Sequence, residues 1–193
     1  FLEQANTNSL VTNHFDDSYE DLKVKVSFGQ GAPARIPWIS FLKDTNTTSH
    51  GIYPVYLLYK NIDRLVLAYG ISETNPPNQT WNLTNPQSIK EYFRDNNLGT
   101  PARYGSSYVC KAYNVGELPS DDQLDRDLDD IISFYKNNMS LNKRKINDAI
   151  EITKRAVESG HENHPRDELS GIYQTQIRPH IVRYENEFGQ TPQ

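Results

Sequence analysis

Sulfur is scarce in this chain of 193 residues: it holds one cysteine, Cys110, and one methionine. A single thiol excludes an internal disulfide framework and any cysteine-rich zinc site. Long hydrophobic runs are also missing. No stretch of 18 apolar residues occurs, so no membrane-spanning helix is expected. Hydrophobic residues make up 36% and the mean hydropathy is −0.75, the profile of a polar chain that is still long enough to bury a core. Phosphate-binding glycine loops are absent: there is no Walker A sequence and no dinucleotide fingerprint, which excludes nucleotide binding by either route. The nucleophile-elbow pattern of serine hydrolases is absent as well. Phe1-Leu2-Glu3-Gln4 shows neither a basic nor an apolar leader pattern, so no signal peptide is expected and the cytoplasm is the default compartment. The N-x-S/T triplets at Asn46, Asn78, Asn82 and Asn138 are then chance features of an Asn-rich chain.

The net charge of −5 hides a segregation. Residues 1–21 contain no Lys or Arg and carry −5; residues 22–116 carry +5; residues 117–193 carry −5. Phosphate groups respond to the field within about 10 Å, not to the whole-chain sum. A basic middle between acidic flanks therefore leaves nucleic acid open as a partner, beside the plainer reading of a mixed surface.

Length allows one domain, or one with an appendage. Residues 1–18 read as a short helix or loose arm. Leu22–Phe28 alternates apolar and polar residues, the mark of a half-buried strand, and residues 29–33 follow as a turn. Residues 36–42, 52–59 and 64–71 read as further strands, the last two joined as an antiparallel hairpin by the short link 60–63. Residues 86–96 read as a helix, and 104–113 as a return to the sheet. After 117 the pattern turns helical. Leu124, Leu128, Ile131, Ile132 and Tyr135 form one stripe behind an N-cap at Ser120. Ile146, Ile150, Ile152 and Val157 mark a second helix ending near Gly160, and Leu169 to Ile181 a third, with Pro179 able to kink it. The fold class is α/β (α+β): a mixed, largely antiparallel sheet flanked by helices, as a domain over 1–118 followed by a helical extension or linker over 119–193.

Little here supports catalysis. Cys110 falls in a strand with no histidine nearby in sequence. His161 and His164 have metal-ligand spacing, with His180 as a third candidate, but Gly160 and Pro165 bracket them as a loop. The acids of 121–130 interleave with Leu124 and Leu128 and read as the polar face of a helix. No catalytic residue, metal or cofactor is expected.

Aromatic content in the basic middle is the informative signal. Trp38, Tyr53, Tyr56, Tyr59, Tyr69, Trp81, Tyr92, Tyr104, Tyr108 and Tyr113 all fall there, and the chain holds twelve Tyr against seven Phe. Each tyrosine carries a polar end that needs a partner. Rings combined with cations are what a protein needs to stack a base taken out of a nucleic acid. For any single ring, sheet packing is the simpler explanation.

Residues 19 to about 115 resemble the amino-terminal DNA-binding domains of McrB-type subunits, GTP-dependent restriction components that act on modified cytosine. The resemblance is carried by Leu22-Lys23-Val24-Lys25-Val26-Ser27-Phe28-Gly29, Ile36-Pro37-Trp38, Gly51-Ile52-Tyr53-Pro54-Val55, Leu65-Val66-Leu67-Ala68-Tyr69-Gly70-Ile71-Ser72 with Thr74-Asn75, Glu91-Tyr92-Phe93 and Tyr104-Gly105-Ser106-Ser107-Tyr108. It covers about half the chain; residues 120–193 resemble nothing recognised, and these 193 residues hold no counterpart of the GTPase module.

The resemblance implies a domain that binds duplex DNA, extrudes 5-methylcytosine or a related base, and holds it in an aromatic pocket. It implies that Trp38 stacks on the base, that Tyr53 and Tyr104 form walls, and that Leu57 meets the edge near the 5-substituent. The Gly29-Gln30-Gly31 turn would enter the duplex, with Gln30 standing where the family has an aromatic plug. Lys25, Arg35, Lys43, Arg103 and Lys111 are available for phosphates. The partners implied are double-stranded DNA containing modified cytosine and an effector, GTPase or nuclease, outside this chain, with no membrane. Two alternatives stand beside this non-enzymatic reader: a small metal-dependent nuclease using His161 and His164, and a protein-interaction module that has lost base flipping, for which Gln30 is the pointer.

Overall fold

A computed structural model describes residues 1–43, 46–75, 77 and 79–158. The chain opens with a single helical turn, α1 (Leu2–Ala5), and a two-residue strand, β1 (Ser18–Tyr19). The strands β2 (Leu22–Gln30), β3 (Ala32–Leu42), β4 (Ile52–Tyr59) and β5 (Arg64–Ile71) follow. Then come helix α2 (Ile89–Asp95), strand β6 (Tyr108–Asn114) and the long helix α3 (Asp121–Glu158). The strands pair in chain order, β1-β2-β3-β4-β5-β6, and every pair is antiparallel. The sheet is thus a meander, consistent with an α+β class.

Strands β4 and β5 are interior strands of the sheet and match the sequence expectation residue for residue. Every residue of β4 is buried, which explains its continuous apolar run. The turn expected over 29–33 is tighter than that: β2 and β3 stay paired to Gln30 and Ala32, leaving Gly31 alone at the tip. The register slips between Ser27 and Gly29, where β3 carries extra residues around Arg35. Such an irregularity re-aims side chains near the end of a hairpin.

The two faces of the sheet have different cover. On one face lies α3, whose Leu128, Ile131, Ile132, Tyr135 and Met139 are buried. Tyr56 donates to the Leu124 carbonyl at 3.4 Å, and Tyr113 donates to the Asp127 carboxylate at 2.8 Å. On the other face α2 covers one end, with Phe93 edge-on to Tyr59 at 4.8 Å between ring centroids. Helix α2 begins with a capping box between Ser88 and Glu91.

Residues 121–158 form one helix where the sequence reads as two. Between Ser120 and Glu158 there is neither Gly nor Pro, so nothing interrupts the backbone hydrogen-bond ladder. The Ser120 carbonyl accepts the Leu124 N–H at 3.1 Å, which opens the helix where the sequence places it. Helical texture starts just past 118, while the first compact unit runs from Phe1 to Arg144, because the α3 side chains through Met139 belong to the sheet's core. In the second unit, Lys145–Gln193, the described helical residues expose Ile146, Ile150 and Ile152. The third helix expected from Leu169 onward, and the histidines His161, His164 and His180, lie outside the described residues.

Among the described residues, the hydroxyls of Tyr19, Tyr53, Tyr56, Tyr59, Tyr113 and Tyr135 hydrogen-bond within the fold. Tyr135 accepts from the Asn46 amide at 2.8 Å and from the Lys43 N–H at 3.2 Å, tying the β3–β4 loop to α3. Asn138 accepts from the Asn82 backbone and side chain at 2.9 and 2.8 Å. Asn46 and Asn138 are buried, so as folded neither offers its amide for glycosylation.

Candidate nucleic-acid interface

The face not covered by α3 holds a cavity of about 570 Å³. That lies within the range of about 300–1,000 Å³ usual for small-molecule sites. Cross-strand pairing builds its floor. Ser27 pairs with Trp38, Trp38 with Leu57, and Leu57 with Val66, so these side chains leave the sheet on one face. Four residues back along β4 from Leu57, Tyr53 joins the same face by the two-residue period of a strand. All four of Trp38, Tyr53, Leu57 and Tyr104, expected from sequence to share a site, line this one cavity.

Gly70 lies opposite Tyr53 in β5 and also lines the cavity. A Cβ there would fall 2.6 Å from the Tyr53 carbonyl oxygen and 2.8 Å from Val55 Cγ1. Its missing side chain keeps the floor open beside Tyr53. Gly29 plays a backbone role at the rim: its φ is +124°, and a Cβ would fall 2.0 Å from the Ala32 carbonyl oxygen. Only glycine fits there, and the hairpin tip with exposed Gln30 and Gly31 depends on it.

Tyr104 reaches the cavity from the loop between α2 and β6, with φ at +64°. A left-handed backbone is uncommon for a bulky residue. Glu73, which follows β5, holds it there. The Glu73 carboxylate accepts the Tyr104 N–H and, at 3.1 Å, the Arg103 Nε–H. Tyr59 adds a third restraint by donating to the Arg103 carbonyl at 3.0 Å, and the Arg103 guanidinium lies 5.0 Å from the Tyr104 ring centroid. No sequence motif marks Glu73, because its partners stand 30 and 31 positions away. Tyr53 donates to the Thr48 carbonyl at 2.9 Å, fixing the opposite wall.

Burial pushes the phenols of Tyr53 and Tyr104 above their usual range, with Arg103 partly opposing the rise in both. Both walls are therefore neutral rings with intact O–H donors at physiological pH. The Arg103 guanidinium is raised further, first by its interaction with Tyr104 and then by the bond to Glu73, and stays fully charged.

The cations named from sequence divide. Arg35 and Arg103 line the cavity. Lys25 is exposed on β2, on the face of Ser27 by strand alternation. Lys43 stands beyond β3 with its backbone N–H on Tyr135, away from the cavity lining. Lys111 is not brought to the cavity: it faces α3, ion-paired with Asp127 at 3.2 Å. Asp127 departs from the polar face expected of residues 121–130, being buried under Tyr113, Lys111 and Gln123, while Asp121, Asp122, Asp125, Asp129 and Asp130 are exposed.

Cys110 is half-buried, and burial pushes its thiol up, away from the reactive thiolate. Among the described residues no cluster of three or more His, Cys, Asp or Glu is arranged to hold a metal, and no helix is long and apolar enough to cross a membrane.

Residues 3–140 match the family model described as MrcB-like, N-terminal domain. The chain is also 42% identical over 139 residues to the type IV methyl-directed restriction enzyme EcoKMcrB subunit of Escherichia coli (strain K12). That alignment covers 70% of this chain and 30% of the relative, so the chain spans about a third of the length of the curated protein it matches.

Proposed function

Since the chain belongs to the family of MrcB-like N-terminal domains, we propose that it is the DNA-binding specificity module of a modification-dependent restriction system. Within that reading it recognises 5-methylcytosine, or a related modified cytosine, by turning the base out of the duplex. The observation that carries this is the convergence of Trp38, Tyr53, Leu57 and Tyr104 on one cavity beside a glycine-built hairpin tip.

Each part has a physical task. Unpairing and unstacking a base costs a few kcal/mol. Stacking on one aromatic ring returns about 1–3 kcal/mol, which is the task of Trp38. Tyr53 and Tyr104 bound the base laterally, and Leu57 meets the 5-substituent. Gln30, at the exposed tip, takes the space vacated in the duplex and hydrogen-bonds the orphaned guanine. Lys25 and Arg35 neutralise phosphates on the cavity side, giving affinity and salt dependence without sequence information. A buried methyl group is worth only about 0.8 kcal/mol, so selectivity comes mainly from the fit of the walls. The module has no catalytic role of its own; cleavage belongs to an effector outside this chain, a GTPase or nuclease, that it directs to DNA.

The test is a fluorescence-anisotropy titration with duplexes that differ only in the 5-substituent of one cytosine. Tighter binding of a modified duplex supports the reading. Equal binding of plain, methylated and hydroxymethylated duplexes rejects it.

A further inference from the structure

We propose that Glu73 is a positioning residue of this site: its carboxylate holds Tyr104 as a cavity wall and keeps Arg103 away from DNA phosphates, favouring selectivity over indiscriminate affinity. The inference rests on the reading that the cavity receives an extruded base.

Glu73 is an acid on the rim of a site proposed for a polyanion, and it lines the cavity with Arg103 and Tyr104. Repulsion between a carboxylate and phosphate works against binding. A neutral side chain would suffice if the only need were to accept the Tyr104 N–H. The negative charge has a second use: it is matched to Arg103, whose side chain is 59% exposed against 28% for Glu73. An exposed arginine without that partner is available to any phosphate, modified base or not.

The two bonds act on adjacent residues, so they set the wall as a unit. Tyr104 sits at φ +64°, a conformation its own side chain disfavours. The Glu73 carboxylate at its N–H and the Tyr59 hydroxyl on the preceding carbonyl compensate. Arg103 lies against the Tyr104 ring while bonded to Glu73, so the ring is braced by a side chain that is itself held in place. Without the carboxylate, Tyr104 relaxes toward negative φ and its ring leaves the wall, while Arg103 is released.

These consequences have opposite signs, which separates positioning from plain structural damage. The experiment compares the full chain with Glu73→Ala, Glu73→Gln, Tyr104→Ala and the double variant Glu73→Ala/Tyr104→Ala. Each is titrated with a plain duplex and one carrying a single 5-methylcytosine, over a range of salt concentrations. Glu73→Ala is expected to lower the methylated-over-plain preference about tenfold, within the range of one lost stacking wall. It is also expected to strengthen plain binding at low salt and steepen the slope of log K against log salt by about 0.9, one added phosphate contact. Glu73→Gln retains an acceptor for the Tyr104 N–H and keeps most of the preference, yet shows the steeper slope. In the Tyr104→Ala background, removing Glu73 should cost no further preference.

Equal weakening toward both duplexes, or an unchanged preference and slope in Glu73→Ala, overturns the proposal. If the unmutated chain binds both duplexes alike, the base-reading function fails instead. The clamp is then judged on a crystal structure of free Glu73→Ala: Tyr104 at negative φ supports it, and Tyr104 still near +64° overturns it. Should the alanine variant not fold, the salt slope of Glu73→Gln decides.

Discussion

Trp38 on β3 pairs directly with Leu57 on β4, so the indole and the isobutyl group leave the sheet side by side into one cavity. An aromatic face and a branched aliphatic end are thereby placed at right angles to the sheet a strand spacing apart, about 4.7–4.9 Å. The ring can stack on a planar base while the leucine meets its edge. Two residues fixed by the backbone ladder need no induced fit to reach this arrangement.

Trp38 is only partly buried, so its removal should spare the fold. Trp38→Ala is expected to abolish the preference for modified over plain duplex, a loss of about 1–3 kcal/mol in binding. Anisotropy titration measures the preference, and circular dichroism checks that the melting transition is retained.

Leu57 is almost fully buried in the cavity floor. Leu57→Phe should crowd the position proposed for the 5-substituent and weaken binding to modified duplex about tenfold. Overpacking costs the fold roughly 1–3 kcal/mol, which thermal denaturation reports separately. Unchanged affinity would place the base edge elsewhere.

Arg35 and Lys111 make a matched pair of controls. Arg35 lines the cavity and has no ion-pair partner among the described residues, whereas Lys111 faces α3 with Asp127. Arg35→Ala should reduce the salt slope of DNA binding by about 0.9. Lys111→Ala should leave the slope unchanged and lower the melting temperature instead. Binding isotherms at several salt concentrations distinguish the two.

Asp127 gives a pH dependence with a defined sign. Burial raises its pKa, but hydrogen bonds from Tyr113, Lys111 and Gln123 outweigh this, and the carboxyl lies below its ordinary value. A depressed folded-state pKa stabilises the protein above the unfolded value of about 3.9, and that stability is lost as pH falls through the folded value. Asp127→Asn should therefore be less stable than the parent at neutral pH, with the difference shrinking below about pH 4. Urea denaturation across pH 2–7 measures it.

The strands were legible because alternation and burial leave a period-2 or continuous apolar signature, as in Leu22–Phe28 and Ile52–Tyr59. The resemblance pointed to the four residues found lining the cavity: its motifs carry Trp38, Tyr53 and Tyr104, and Leu57 follows two positions after the motif that ends at Val55. Other features were not readable. Glu73 acts on Arg103 and Tyr104 through a contact formed only in three dimensions. Lys111 pairs with Leu67 and meets Asp127 of α3, a partner 16 positions away that no local pattern announces. Asp127 looked like its exposed neighbours on α3 because its burial depends on Tyr113 from strand β6. The continuity of α3 was obscured by the polar stretch between Met139 and Ile146, which breaks the apolar stripe without breaking the helix.

The most direct measurement is a crystal structure of this chain bound to a duplex with one 5-methylcytosine. The expected result is that base outside the helix, its ring on Trp38 and its methyl group toward Leu57, with Gln30 in the vacated space. A structure with every cytosine still paired, and the cavity filled by the protein's own side chains, would contradict it.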